Sequence, residues 1–214
     1  MGNFVESEHP RDKKGQFIEK GKGVLKNSLV SYKKNSTQNE FKYSSRPNYS
    51  KIKEEYENAV DEEIVNFYNN QLKQRNAQGK LIVENATQKH IDEIKKLTGF
   101  DVTGYKISIN DSFVGHVDNN HGINGIHDHS MKDSDDVGRL KYVLNNFDKI
   151  DFCRNKKGEI QHSTEHKDKN GNFAPKLLVQ KRINGYYVIC EAVVESKKKE
   201  IRLISAYKPK KPLI

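Results

Sequence analysis

The order of hydrophobic and polar residues divides the chain into a polar N-terminal part, a helical middle and a strand-rich C-terminal part. Residues 1–50 show no sustained apolar period, and Ser, Asn, Lys, Gly and Gln dominate there. A segment without an apolar face cannot offset the entropy of ordering its backbone. We therefore predict that residues 1–50 form a disordered basic tail or linker, and that residues 51–214 form a single domain.

Helical periodicity fills the middle of the chain. Apolar side chains recur there at three- and four-residue steps with charges between them, which indicates amphipathic helices. Ser, Thr, Asp and Asn at the starts of these stretches, and glycine after two of them, indicate where helices begin and end. The predicted helices cover residues 51–75, 87–99, 110–122 and a stretch that begins at 134–136, with an extended run over residues 100–109.

The pattern changes from helical to alternating at about residue 150. Runs rich in Val, Ile, Leu and Tyr, separated by turn-forming residues, indicate strands at 150–153, 176–182, 186–194 and 201–207. Asn184-Gly185, between the second and third of these runs, predicts a β-hairpin. The whole order predicts an α+β fold, in which N-terminal helices pack on a C-terminal antiparallel sheet of about four strands.

The composition excludes several classes of protein. Of the 214 residues, 34% are hydrophobic and 31% are charged. No stretch approaches the roughly 20 apolar residues of a membrane span, so we expect no contact with a membrane. Cys153 and Cys190 are too few and too far apart for a disulfide framework or a Cys-x-x-Cys zinc site. These features favour a reducing compartment.

Positive charge is concentrated at the two ends of the chain, whose formal net charge is +9. Residues 1–50 carry ten Lys and Arg against five Asp and Glu, and residues 175–214 carry ten against three. Such an excess favours a polyanionic partner, although an exposed lysine-rich tail is also a common solubility feature. The C-terminal excess coincides with the predicted strands, so it points to the sheet as the binding face.

Four of the eight histidines lie within fourteen residues, namely His116, His121, His127 and His129. On an unbroken helix His116 and His121 would lie about 140° apart, which does not suit joint binding of one metal ion. If the helix ends before Gly122, both rings can approach the sheet and transfer protons to and from a phosphodiester. Two alternatives stay open. In the first, His116 is a buried structural residue, and His127 and His129 lie in a loop without function. In the second, all four histidines form a zinc site.

The last predicted strand carries polar groups that suit a phosphate. Strict alternation places Ile201, Leu203, Ser205 and Tyr207 on one face and Arg202, Ile204, Ala206 and Lys208 on the other. Ser205 and Tyr207 can donate hydrogen bonds to phosphate oxygens, and Lys208 and Lys181 can supply positive charge. The alternative interpretation is an ordinary edge strand with a polar end.

Six short runs of the sequence occur in a recognisable combination. They are Thr98–Lys106, His116, His121-Gly122, Lys181-Arg182, Tyr186–Val188 and Ser205–Lys208. Together they resemble the phage-associated nuclease domains of the barnase, EndoU, colicin and RelE-like superfamily. The resemblance covers about residues 80–210, and its family fold has helices before a four-stranded antiparallel sheet. Residues 9–17 also look like linkers of phage head proteins.

The resemblance implies a toxin-like, metal-independent endoribonuclease that needs no cofactor. The ribose 2′-OH then attacks the adjacent phosphorus, one side chain removes its proton, and another protonates the departing 5′-oxygen, which leaves a 2′,3′-cyclic phosphate. His121 is expected to be the main acid or base, with His116 as its partner. The other expected site residues are Ser205 and Tyr207 for positioning, Lys208 and Lys181 for charge, and Arg182 and Arg202 with Lys181 for RNA binding.

The resemblance also suggests partners and a location. RNA, with tRNA as one candidate, is the expected substrate, and a cognate immunity protein and phage head or portal components are further candidate partners. The expected location is the host cytoplasm, or the virion if the protein travels with the phage head. The competing hypothesis is a non-catalytic phage head accessory protein that binds nucleic acid through its basic tail.

Overall fold

Six helices and eight strands make up the part of the chain that the computed structural model describes, which is residues 47–74, 78–168 and 170–210. The helices are α1 Tyr49–Asn58, α2 Glu62–Lys73, α3 Gln88–Thr98, α4 Asp111–His121, α5 Ser134–Gly138 and α6 Leu140–Asn145. The strands are β1 Lys80–Asn85, β2 Lys106–Asn110, β3 Lys149–Phe152, β4 His162–Lys167, β5 Phe173–Pro175, β6 Leu177–Arg182, β7 Tyr187–Glu195 and β8 Glu200–Tyr207. The predicted tail lies outside the described residues except for its last four positions.

A six-stranded sheet with the order β1-β2-β8-β7-β6-β3 forms the centre of the fold. Its neighbouring strands are antiparallel except β2 and β8, which run parallel. The four strands predicted in the C-terminal half are β3, β6, β7 and β8, so the α+β prediction is confirmed, and β1 and β2 extend the same sheet. Gly185, with φ of 78°, turns the chain between β6 and β7 as the predicted hairpin requires.

The main hydrophobic core draws residues from all six helices and from all six strands of this sheet. Alternate positions of β6 separate it from a smaller cluster on the opposite face, since Leu177 and Val179 belong to the main core and Leu178 to the smaller one. Cys153 and Cys190 are both buried and free, one in each cluster. The main core therefore lies on one face of the sheet, and residues of the other face are available for a site.

The predicted helix over residues 51–75 is interrupted. The helix α1 ends before Ala59, and Asp61 caps α2 by accepting hydrogen bonds from the backbone N–H groups of Glu63 and Ile64 at 3.1 and 3.2 Å. The apolar spacing continues across the break, so the period alone could not reveal it. The available indication was an N-cap aspartate followed by two acidic residues, a combination that favours a helix start.

Other predicted helix ends are confirmed in detail. Thr87 forms a capping box at the start of α3, Gly99 ends that helix with φ of 74°, and Asn110 caps α4 by accepting from the Phe113 N–H at 3.0 Å. Gly122 follows α4 as predicted but has φ of −68°, so it is not left-handed. A Cβ there would lie 2.6 Å from the carbonyl oxygen of Asp118, so this glycine permits a close backbone approach instead.

Two extended segments differ from the sequence pattern. The run predicted over residues 100–109 is a strand only from Lys106, because Val102 and Tyr105 close a turn with a backbone hydrogen bond of 3.0 Å. The strands β4 and β5 form a separate two-stranded sheet that the pattern did not predict. The strand β4 is polar along its whole length, and β5 has only three residues, so neither shows the apolar alternation by which a strand is recognised.

Candidate active site

A groove of about 240 Å³ lies among α4, the strand β4, and the outer positions of β7 and β8. Its polar lining includes His116 from α4, Ser163 and His166 from β4, Lys176 before β6, Glu191 from β7, and Arg202 and Ser205 from β8. Elements that are distant in sequence thus bring two imidazoles, two permanent cations, the two carboxylates of Glu165 and Glu191, and hydroxyl groups around one space. Such a combination suits an anionic ligand and proton transfer.

A β-bulge directs the end of β8 into this groove. Leu203 and Ser205 are paired with adjacent residues of β7, so Ile204 is the extra residue between them. The alternation therefore reverses at Ile204, and Ala206 joins Leu203 in the main core while Ser205 lines the groove. The predicted strict alternation, which placed Leu203 and Ser205 on one face and Ala206 on the other, is wrong for this reason.

Two donors of β8 lack partners among the described residues. Ser205 is 2% exposed, and its Oγ makes no hydrogen bond there. The Arg202 side chain is 11% exposed, with Nη2 at 3.3 Å from Glu195 Oε2 and 3.6 Å from Glu200 Oε2, while its Nε makes no hydrogen bond. A buried donor without a partner costs about 1–3 kcal/mol, so both groups favour a bound acceptor such as a phosphate oxygen.

The pKa of His116 lies below the ordinary value for histidine. Desolvation by the groove walls is the largest cause, and the nearby His121 lowers the pKa further. Glu191 acts in the opposite direction, whereas Lys176 and His127 also lower the pKa. His116 is on an exposed position of α4, so a substrate can reach its ring. The residue is therefore neutral at pH 7 and can accept a proton.

The ring of His121 lies beside this groove and is not part of its lining. His121 Nδ1 is 2.9 Å from Asp128 Oδ2, and its side chain is 10% exposed. The ring stacks on Tyr207 with centroids 4.9 Å apart, and its centroid is 6.0 Å from that of His116. Tyr207 in turn donates a hydrogen bond from its hydroxyl to Glu191 at 3.0 Å, and burial raises the Tyr207 pKa. These contacts fix the position of His121.

The other two histidines of the cluster follow α4 in an exposed loop. The His127 ring centroid is 6.3 Å from that of His121, and His129 Nδ1 is 3.4 Å from the carbonyl oxygen of Gly122. In the part of the chain that the structure describes, no group of three or more His, Cys, Asp or Glu residues is arranged to hold a metal ion. The four histidines thus do not form a ligand cluster there.

The lysines that the sequence predicts for the phosphate have acidic partners away from the described groove lining. Lys208 Nζ forms an ion pair with Asp136 and lies 5.8 Å from the centre of the Tyr56 ring. Lys181 Nζ is 2.8 Å from Asp148 Oδ1. Because neither residue is in the described lining of the groove, neither places its charge beside a ligand bound there.

Arg182 also lies elsewhere, with its guanidinium 4.4 Å from the centre of the Tyr49 ring. Its backbone N–H donates to Asp148 at 2.7 Å. The sequence-predicted residues that the structure brings to the groove are His116, Ser205 and Arg202. The other five predicted residues lie outside the described lining. His121 and Tyr207 are next to it, whereas Lys181, Arg182 and Lys208 are farther away.

Sequence reasoning missed His166. Ser163 Oγ accepts hydrogen bonds from the backbone N–H groups of Glu165 and His166 at 3.1 and 3.0 Å, and this local turn shapes β4. His166 Nδ1 lies 2.5 Å from Glu195 Oε1. Burial lowers the pKa of His166, and Glu195 opposes that effect. A serine three residues before a histidine indicates such a turn, but nothing in the sequence connects it with α4.

Lys176 is a second cation that the sequence analysis did not select. It lies between β5 and β6, lines the groove, and places its Nζ 3.9 Å from Glu191 Oε2. Its sequence neighbourhood is that of an ordinary strand start. Only the packing of β4 and β5 against β7 places it opposite α4.

Comparison with known proteins assigns the domain that contains this groove. The model of one family, described as phage-Barnase-EndoU-ColicinE5/D-RelE like nuclease 3, matches residues 84–213, a segment that includes every groove residue. The chain belongs to this phage nuclease family. Membership in the nuclease family confirms the resemblance predicted from the sequence. No curated protein and no solved structure matches the chain. None of the helices within the described ranges is long and apolar enough to cross a membrane.

Proposed function

We propose that this phage nuclease domain cleaves RNA in the groove by attack of the ribose 2′-OH on the adjacent phosphorus, without a metal ion. The observation that carries the proposal is the presence in one groove of an accessible imidazole, His116, and of two donors without described partners, on Ser205 and Arg202. Internal attack requires proton transfer and stabilisation of a phosphorane, and it needs no metal-bound water.

His116 takes the role of the general base in this mechanism. Its lowered pKa keeps the imidazole neutral, and its position in the groove lets it reach a 2′-OH. His121, which the sequence favours as the main acid or base, acts instead through position, because Asp128 and Tyr207 hold its ring beside His116. The geometry thus leads us to exchange the roles of the two histidines.

Arg202, Lys176 and Ser205 stabilise the negative charge of the phosphorane. Arg202 and Lys176 replace Lys181 and Lys208 in this role, because they line the groove. Hydrogen bonds from charged donors to phosphate oxygens are stronger than neutral ones, and they become stronger as charge develops in the transition state. Glu191 positions Lys176 and the Tyr207 hydroxyl at one side of the groove.

The proposal extends to the biological setting that membership in a phage nuclease family suggests. An endoribonuclease of this kind acts as a toxin in the host cytoplasm, or enters with the virion, and tRNA is one candidate substrate. A cognate immunity protein would then have to cover the groove or prevent RNA from binding to it. The family match supports the nuclease activity on which this extension depends.

A substrate panel tests the proposed chemistry. The full-length protein is incubated with labelled RNA, with DNA of the same sequence and with fully 2′-O-methylated RNA, each with and without EDTA. We expect cleavage of unmodified RNA alone, at the same rate in both conditions, because the nucleophile is the 2′-OH. Cleavage of the other two strands contradicts internal attack, and loss of activity in EDTA contradicts metal independence. Binding of RNA without cleavage favours the non-catalytic accessory protein.

A further inference from the structure

We propose that His166 is a second catalytic residue of the groove, the general acid that protonates the departing 5′-oxygen, and that Glu195 is its positioning residue. The inference rests on the proposed ribonuclease function. It names a residue that neither the sequence pattern nor the family resemblance selected. It also supplies the acid that becomes necessary once His116 is the base.

The first argument is the placement of His166 relative to His116. In cleavage by the 2′-OH, the attacking and leaving oxygens are on opposite sides of the phosphorus, so the acid and the base must reach it from different directions. His116 lines the groove from the helix α4. His166 lines it from β4, a strand of the small two-stranded sheet. His121, in contrast, shares α4 with His116 and has its Nδ1 bound to Asp128.

The second argument is the local support of the His166 ring. The Ser163 hydroxyl accepts the backbone N–H of His166, which fixes the backbone at this point. Glu195 Oε1 lies at ion-pair distance from Nδ1, 2.5 Å, so the side of the ring that carries Nδ1 faces the carboxylate and we assign Nε2 to the substrate. Glu195 is 8% exposed at its side chain and is itself contacted by Arg202 at 3.3 Å. One carboxylate therefore orients both the proposed acid and a proposed phosphate-binding cation.

The third argument is the difference in charge around the two imidazoles. Desolvation is the largest cause and lowers the pKa of His166 as it does that of His116; Glu195 opposes it most strongly and the exposed Glu165 also opposes it, while Arg202 and Lys198 lower the pKa further. Around His116 the groups that lower its pKa are His121, Lys176 and His127, and Glu191 alone raises it. A bound phosphate adds negative charge beside both rings. His166, with a carboxylate in direct contact, is the residue better suited to hold a proton for the leaving group.

The proton balance of the step follows from these roles. His116 removes the proton of the 2′-OH, the 2′-oxygen forms a bond to phosphorus, and the bond between phosphorus and the 5′-oxygen breaks. His166 gives its proton to that oxygen, so the products are a 2′,3′-cyclic phosphate and a 5′-OH. The reaction ends with His116 protonated and His166 neutral, and exchange with solvent restores both. No water or co-reactant is consumed.

The experiment compares two leaving groups. One substrate is a dinucleoside monophosphate of RNA, and the other is the p-nitrophenyl ester of a nucleoside 3′-phosphate, whose leaving group needs no proton. His166→Ala should lower single-turnover cleavage of the first substrate by about a hundredfold or more and that of the ester by only a few-fold. His116→Ala should lower both rates, because the base is needed in each case. Glu195→Gln should slow cleavage of the dinucleotide more than that of the ester, because Glu195 also contacts Arg202, which both substrates need.

Controls separate catalysis from folding. His162→Ala changes an exposed histidine of the same strand that is not among the described groove residues, and both rates should stay at the wild-type level. His166→Gln keeps a polar side chain of similar size. If His166→Ala lowers the melting temperature, the ratio of the two rates in His166→Gln decides the question.

The possible failures are distinguishable. If His166→Ala or His166→Gln loses both activities equally, or keeps both, His166 is not the general acid, although the proposed function survives in the wild-type protein. An equal loss of both activities in Glu195→Gln overturns the positioning role of that residue. If the wild-type protein cleaves neither substrate, the proposed function and this inference fail together.

Discussion

The two histidines of α4 differ in what surrounds them, and the surroundings determine which ring can transfer a proton. His116 lies at the groove with a lowered pKa and no carboxylate within ion-pair distance among the described residues. His121 is nearly buried, stacked on Tyr207, and bound through Nδ1 to Asp128. An imidazole held by other groups on both sides is suited to fix the position of a neighbouring side chain. An accessible neutral imidazole is suited to act as a base.

The lowered pKa of His116 predicts the acid side of the pH–rate profile. Because protonation removes the base, kcat/KM should fall as the pH falls through the His116 pKa, with an inflection below the ordinary value of 6.5. Lys176→Gln removes a cation that lowers this pKa, so the inflection should move to higher pH. Glu191→Gln removes an anion that raises the pKa, so the inflection should move to lower pH.

Steady-state kinetics on RNA between pH 4 and 8 measure these shifts. The sign of the change is informative even when the rates themselves fall, since Lys176 also contacts the proposed phosphate site. Shifts in the same direction for the two variants, or an inflection above pH 6.5 in the wild-type protein, would contradict the assignment of His116 as the base.

At the scale of elements, the sequence predicted what each segment carries by itself. The helices α3 and α4 have their own caps and apolar faces, and the four C-terminal strands have their own alternation, so they could be identified. The bulge at Ile204 changes the direction of side chains without changing composition, and β4 is too polar to be recognised. His116 could therefore be selected from its sequence, whereas His166 depends on how β4 packs.

The loop after α4 holds Asp128 against His121. An alanine substitution in this loop tests its rigidity, and a second one inside α4 serves as the comparison. A Cβ at Gly125 would lie 2.6 Å from the backbone C and O atoms of Asn120, and 2.7 Å from the carbonyl oxygen of Asp128. Gly125→Ala should therefore displace the loop, lower the free energy of unfolding by about 1–3 kcal/mol and reduce cleavage. Gly115, inside α4, has open space around a Cβ, so Gly115→Ala should raise stability by about 0.5–1 kcal/mol.

Urea unfolding of both variants gives the two free energies. Opposite signs for Gly125→Ala and Gly115→Ala are the expected result. Equal and small changes would show that the loop adjusts to a side chain at Gly125, and the contact between Asp128 and His121 would then need less support from the backbone than we infer.

At the scale of the whole molecule, the net charge of a sequence segment does not equal the charge near a ligand bound to the folded protein. The excess of +7 over residues 175–214 predicted the sheet as the binding face. The fold pairs Lys181 with Asp148 and Lys208 with Asp136, both acids from outside that segment. Linear sequence cannot show such neutralisation, because the partners are 33 and 72 residues away. The lysine and arginine that line the groove are Lys176 and Arg202, and each also lies near a carboxylate, Glu191 for Lys176 and Glu195 for Arg202.

The salt dependence of RNA binding measures this distribution. Lys176→Gln should weaken binding and reduce the slope of log affinity against log salt by about 0.7, the value for one phosphate contact on a single strand. Lys96→Gln removes an exposed lysine of α3 that is not among the described groove residues and should leave the slope unchanged. If both substitutions change the slope equally, binding follows net charge and the groove is not the preferred phosphate site.

A DNA strand that contains a single ribonucleotide tests the central claim most directly. If the ribose 2′-OH is the nucleophile, the protein cuts this strand only on the 3′ side of that nucleotide. Mass spectrometry should then find a 2′,3′-cyclic phosphate on one product and a 5′-OH on the other, and the strand with a 2′-O-methyl group at that position should stay intact. Cleavage at a deoxynucleotide, or products with a 5′-phosphate, would contradict cleavage by internal attack.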